Sequence, residues 1–363
     1  MTSKKFKFIN LLHTSIKIRH NRENYKYKRL PMTTIKDVAR VANVSVATVS
    51  RVINDGPKVG DKTRQKVKVI MNELGYRPNA NARALVTNTN LTIGVIIPDV
   101  ADPFFAALAH GVDKIARQNK IQLLISTSSV SKESEKNAIE LLRQQQCRCI
   151  VFHSKKLSNQ ELSAYCEALP NLVLINRFIA THTSRCVWVD NKEGGKIAAR
   201  HLLSLNHKNI AYINSNYDIE DPKLRLAGFS EELELNGVHM LPELIVNCEP
   251  NHEGGEEAAQ RLISSGKRFT SLFAYNDAMA IGAISTLEDN GYRVPRDVSV
   301  VGFDDVLFAK YARPKLTTLC YPIVAMAEEA AKLSLSLSNN KEHSTKSLKF
   351  LPLLIRRESA INC

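Results

Sequence analysis

The chain has 363 residues, seven cysteines and a formal net charge of +14. That length allows two or three domains, each with its own core, and no apolar run is long enough to span a bilayer, which argues against a membrane protein. The charge is uneven: residues 1–31 carry +8, residues 32–90 carry +6 and the remainder sums to zero, so a polyanion-binding head on a neutral body is expected.

Residues 1–31 form a basic extension without clean periodicity. They are expected to be either a segment upstream of the true start, at Met32, or a disordered basic arm. The apolar stretch near Phe8 is short and broken by Lys7, Asn10 and His13, so a secretory signal is not expected.

Residues 34–54 read as two short helices joined by a tight turn. Val38, Ala39 and Ala42 make one apolar face, and Asn43 and Val44 suit the turn. Ser45 can cap the second helix, in which Val49, Val52 and Ile53 recur at helical spacing. Val46, Ala47, Ser50 and Arg51 are left on its outer face. This is the pattern of a helix-turn-helix, whose second helix can enter a DNA major groove, although an ordinary helical hairpin has the same periodicity. Arg51 can offer a bidentate donor pair to guanine, or form a surface salt bridge. Val46 and Ala47 can give only apolar or steric readout. Thr34, Ser45, Thr48, Ser50 and Asn54 are short polar residues at helix ends, suited to phosphates.

A third helix is expected over 62–74, with Val67, Ile70, Met71 and Leu74 inward and Lys62, Arg64, Lys66 and Lys68 outward. Gly75 ends it. Residues 32–77 therefore read as a DNA-binding headpiece. After Pro78, the run from Asn79 to Leu85 is too short to be a stable helix alone. Residues 78–90 are read as hinge and linker.

From Thr92 apolar strands alternate with amphipathic helices. Strands are expected at 92–97, 121–126, 149–153, 172–175, 209–213, 271–274, 298–301 and 350–355. Helices are expected near 103–118, 132–146, 191–206, 222–236, 253–265, 276–289 and 322–338. The alternation predicts an α/β body of parallel sheets covered by helices. The pattern pauses around 177–190, where a subdomain boundary fits. Scattered cysteines with no second close pair read as reduced thiols in the cytosol, not as a metal site.

Several segments together resemble the lactose/galactose repressor family of bacterial transcription regulators. They are the helix-turn-helix itself, the stretch Leu74-Gly-Tyr-Arg-Pro-Asn-Ala-Asn-Ala-Arg-Ala-Leu85, the loop from Ile93 to Phe105, Gly302-Phe-Asp-Asp305 and Arg313-Pro-Lys-Leu-Thr-Thr318. The likeness covers about residues 33–357. Val44 to Asn54, Pro78 to Leu85, Leu174-Ile-Asn-Arg177 and Tyr321-Pro-Ile-Val324 are similar to the family's galactose-responsive branch.

The resemblance implies a headpiece and hinge helix joined to a two-lobed, periplasmic-binding-protein-like body. Its lobes would be residues 91–190 plus 321–351 and residues 191–320 plus 352–363, with crossings near 190, 320 and 351. It implies base-reading positions at Val46, Ala47 and Arg51. It implies a minor-groove hinge with Asn79, Ala82 and Leu85, in which Leu85 wedges between base pairs; an interdomain contact is the plainer role for Leu85. It further implies a homodimer on a palindromic operator, released by a sugar, D-galactose first.

A sugar needs planar hydrogen-bonding groups and apolar ring-facing surface. Asp102 with Phe104, Asn176, Arg225, Asn276 and Asp304 stand at strand ends or helix starts where the ligand cleft of such a fold lies. Asn176, Arg225, Asn276 and Asp304 match family effector contacts, Asp102 less closely. Asp102, Asn276 and Asp304 also suit helix caps or turns, and Arg177, Asp277 and Asp305 fit structure as well as function. A satisfied buried histidine is the plain reading of His153. No catalytic or metal motif stands out. A purine-responsive repressor of the same family and a sugar-transport protein are the competing readings; the second needs a signal peptide and no headpiece.

Overall fold

The computed structural model describes residues 33–77, 92–338 and 347–363. The basic extension 1–31 and the hinge residues Asn79, Ala82 and Leu85 lie outside them. The described chain divides into an N-terminal unit and a larger body.

In the N-terminal unit, α1 (Ile35–Ala42) opens with a capping box. The Thr34 amide and hydroxyl donate to Asp37 Oδ2 at 3.0 and 2.7 Å, and the Asp37 amide returns a bond to Thr34 Oγ1. Asn43 stops the helix at φ 54°, a left-handed cap that asparagine tolerates. α2 (Val46–Ile53) starts at Ser45, whose Oγ accepts from the Thr48 amide at 3.1 Å. α3 (Asp61–Glu73) closes the unit. Val38, Ala42, Val49, Val52, Val67 and Ile70 form its small core. Arg64 does not point freely outward as the helical spacing suggested. It is drawn back to Asp55 Oδ1 and to the Gly56 carbonyl, both at 3.0 Å, tying α3 to the loop after α2.

The body contains two six-stranded sheets. The first lobe is built from β1 (Thr92–Ile97), α4 (Pro103–Gln118), β2 (Gln122–Thr127), α5 (Lys132–Gln144), β3 (Cys149–Phe152), α6 (Asn159–Ala168), β4 (Leu172–Ile175) and β5 (Cys186–Val189). The second is built from α7 (Asn191–Ser204), β6 (Ile210–Ser215), α8 (Glu220–Leu235), β7 (Ile245–Cys248), α9 (His252–Ser264), β8 (Ser271–Ala274), α10 (Asp277–Asp289), β9 (Ser299–Asp304), α11 (Leu307–Tyr311) and β10 (Thr317–Cys320). The chain then returns through α12 (Ile323–Ser338) and β11 (Leu348–Phe350) to the first sheet, and ends with β12 (Leu353–Ile355) in the second.

The strand orders are β11-β5-β4-β3-β1-β2 and β12-β10-β9-β8-β6-β7. All pairings are parallel except β10 with β12. Strands covered on both faces are apolar throughout, as in β3 and β4, where every residue is buried. The run 350–355, expected as one strand, is two. Pro352 has no amide to donate, so the ladder breaks there and the strands join different sheets. The short α6, β5, β7 and β10 were not anticipated.

Helix pairs on the second lobe meet through glycine. A Cβ on Gly195 of α7 would collide with the Arg225 carbonyl of α8, and one on Gly228 with the Lys192 carbonyl. The pair α9 and α10 repeats the device with Gly255 and Gly282.

Candidate functional site

On the N-terminal unit, Val46, Ala47 and Arg51 are exposed on the outer face of α2. Arg51 makes no ion pair among the described residues, so the salt-bridge alternative finds no partner there. Thr34 and Ser45 spend their hydroxyls in helix caps; Ser45 Oγ also lies 2.9 Å from Thr48 Oγ1. Ser50 is half-buried. Asn54 caps the end of α2, with its Oδ1 enclosed and without a partner among the described residues.

In the body, the C-terminal strand ends of the two sheets face one cleft of about 900 Å³. Asp102, Phe104, Asn176, Arg225, Asn276 and Asp304 all line it. Asp102 is the N-cap of α4 and accepts from the Phe104 amide at 2.8 Å. Asn276 caps α10 through Oδ1 and donates to the Pro250 carbonyl at 2.9 Å. Both are therefore cap residues with polar surface left toward the cavity. Asn176 and Asp304 are held at positive φ, 56° and 113°. An aspartate at 113° is in a strained backbone conformation.

Arg225 is buried and held by two hydrogen bonds and two rings. Its Nε donates to Asn191 Oδ1 at 2.8 Å, one terminal nitrogen donates to the Tyr275 carbonyl at 2.6 Å, and the guanidinium lies over Phe303 and Tyr275. Burial pushes the Asp304 carboxyl well above its usual range; Arg225 pulls it down, while Asp277 and Asp102 add to the rise. Phe104, Phe105 and Tyr321 form an aromatic wall, Phe104 meeting each of the other two edge to face.

Arg177, Asp277 and Asp305 do not line the cleft. Arg177 bonds Asn159 at 2.9 Å, and Asp305 pairs with Arg357 at 2.5 Å. Asp277 accepts from the Thr318 hydroxyl at 2.6 Å and the Val306 amide at 2.9 Å. His153 is buried as expected but not satisfied: among the described residues neither ring nitrogen has a hydrogen-bond partner, and burial drives its pKa down to about 3. Its ring packs edge-on against Phe104 and Phe105.

Sequence reasoning missed Lys155, Asp221, Tyr217 and Tyr275 in the cleft lining. Lys155 follows β3 at the same kind of strand end that marked Asn176, so the rule that found one could have found the other. Asp221 was hidden in the acidic first turn of α8, where Glu220 and Asp221 read as ordinary helix-start residues.

Comparison with known proteins accounts for both units. Residues 34–79 match the model for bacterial regulatory proteins of the lacI family, and residues 199–360 match a periplasmic binding protein-like domain. The chain is 43% identical to the HTH-type transcriptional regulator GalR of Escherichia coli, over 90% of this chain and 96% of that one. It is 44% identical to GalS of Salmonella typhimurium over the same shares. Among solved structures, a lac repressor dimer bound to operator and an anti-inducer matches with a TM-score of 0.82 at 27% identity, covering 91% of this chain and 99% of that one. A CelR–cellobiose complex matches with a TM-score of 0.67 at 28% identity, covering 90% and 99%. These relatives are transcriptional regulators rather than enzymes. With such identity across nearly the full length of GalR, and a helix-turn-helix that matches the family model, this chain belongs to the lacI family of bacterial regulatory proteins, as a DNA-binding transcriptional repressor.

Proposed function

We propose that the chain represses sugar-utilisation genes as a homodimer on a palindromic operator, and that D-galactose, bound in the body cleft, releases it. The chemistry of the cleft carries this reading. Its cations Lys155 and Arg225 stand beside the carboxylates of Asp221 and Asp304, its lining offers both donors and acceptors, and an aromatic wall is part of it. That combination, with Asp99, Asp102 and Glu253 also in the lining, suits a neutral, hydroxyl-rich ring and not a phosphorylated one. In this reading Asp304 accepts from two ring hydroxyls, Arg225 and Asn276 bridge others, Asp102 and Asn176 face the ligand from the first lobe, and Phe104 packs on its C–H surface. Arg51, Val46 and Ala47 read bases; Thr34, Ser45, Thr48, Ser50 and Asn54 hold phosphates; Asn79, Ala82 and Leu85 serve the hinge. GalR and GalS, whose identity to this chain exceeds 40%, support galactose as the first effector to try.

Sugar can shift the lobes only by its differential affinity for their two arrangements. The test titrates operator-bound protein with D-galactose at fixed salt and follows release by fluorescence anisotropy. Release by galactose, lost in Asp304→Ala with operator affinity kept, is the expected result. Unchanged binding with galactose, together with tightening by a purine base, would overturn the inducer reading.

A further inference from the structure

The two lobes meet at the cleft through the Asp221 carboxylate, and a longer ion pair, Arg177 to Glu220 at 3.9 Å, lies beside it. Lys155 belongs to the first lobe and follows β3; Asp221 belongs to the second and lies in the first turn of α8. Lys155 Nζ stands 2.9 Å from Asp221 Oδ2, and each side chain is only 11% exposed. The same oxygen accepts from Asn176 Nδ2 at 3.0 Å, and Asn176 is also on the first lobe. The other oxygen faces Asn191 Nδ2 at 3.5 Å, and Asn191 in turn receives Nε of Arg225.

We propose that Asp221 is a cross-lobe latch, which holds the two lobes together through Lys155 and Asn176 and orients Arg225 through Asn191. The pair is buried, so neither charge can be released to solvent while the lobes stay in place, and losing one partner strands the other. Burial works to raise the Asp221 pKa, but Lys155 and Arg225 overcome it and hold it near 2, so the latch stays charged across the neutral range. Its consequence for sugar response rests on the cleft being the effector site: a ligand hydroxyl that takes the Asn176 N–H now donated to Asp221 weakens the latch. The latch itself needs no ligand.

The test therefore uses the full chain without sugar or DNA. Spin labels are placed on Asn137→Cys in α5 and Glu256→Cys in α9, both exposed, after Cys147, Cys320 and Cys363 are changed to Ser. Pulsed electron resonance then reads the interlobe distance. Lys155→Met, which keeps an unbranched stem, is expected to lengthen and broaden the distribution. Asp221→Asn is expected to do the same, and the double variant to go no further than the larger single effect. If one variant does not fold, the other decides. Distances that stay as in the parent, even in a variant that melts at lower temperature, would give the pair a purely folding role and overturn the latch. Failure of galactose to bind would overturn the effector reading and leave this distance test standing.

Discussion

The guanidinium carbon of Arg225 lies 3.6 Å from the centre of the Phe303 ring. Phe303 belongs to β9, one residue before Asp304, so the strand that presents the acceptor also supplies the platform for the cation. A lysine could place one charge here, but not a planar stack together with two directed donors. Arg225→Lys is therefore expected to weaken galactose binding by about 1–2 kcal/mol, roughly tenfold, while operator affinity without sugar stays at the parent value. Calorimetry on the parent and on Arg225→Lys checks this, and equal sugar affinities would contradict it.

Asp277 should make the fold less stable as pH rises from 4 to 7. Burial raises its pKa to about 7, against the bonds from Thr318 and Val306 that lower it. The folded value lies above the unfolded one, near 4, so between them the folded state binds the extra proton. This group's stabilising contribution is thus complete below pH 4 and is lost as pH rises toward 7. Asp277→Asn keeps both bonds, with Nδ2 donating to Thr318 and Oδ1 accepting from Val306. The stability difference in favour of Asp277→Asn is expected to grow by about 2–4 kcal/mol from pH 4 to pH 8. A pH-independent difference in denaturant unfolding would refute the assignment.

Gly195→Ala tests the helix contact behind Arg225. The added methyl meets backbone on α8, which cannot swing aside as a side chain can. A loss of about 3 kcal/mol of body stability is expected. The control is Gly237→Ala, where no neighbouring atom stands within 4 Å but φ is +70°; it should cost less, through backbone strain alone. Thermal melts of the two variants rank them.

On the N-terminal unit, Arg51→Ala should relax base choice within each half-site and cost about 1–3 kcal/mol on the preferred sequence. Ser45→Ala removes the cap of α2 and should cost about 1 kcal/mol of helix stability. It should weaken all operator sequences alike. Binding to a randomised half-site library separates the two effects, and an Arg51→Ala profile as sharp as the parent would count against base reading.

The helix-turn-helix was legible because its signals are local: Thr34, Asn43 and Ser45 act within four residues of themselves. The apolar runs of β1, β3 and β4 were legible because strands buried on both faces need nothing else. β10 was not, since Thr317 and Thr318 look like loop residues until Ser359 and Asp277 are seen to satisfy them. α6 was missed because only Leu162 and Cys166 in it are buried. In the cleft, strand-end polar residues could be named one at a time. The pairing of Lys155 with Asp221 could not, because it spans 66 positions and exists only once both lobes are assembled.

The three passages between lobes are short. Only Asp190 separates β5 from α7, Tyr321 and Pro322 separate β10 from α12, and Leu351 and Pro352 separate β11 from β12. Two of the three contain proline, and the Asp190 amide is bonded to the Phe350 carbonyl at 2.9 Å, which joins the first passage to the third. Such connections can bend about their own line but have too little slack for one lobe to slide past the other. The motion left to the body is close to a single angle. If sugar acts through the cleft as proposed, its effect is confined to that one coordinate, and substitutions that lengthen these passages should blur the response to sugar before they weaken sugar binding itself.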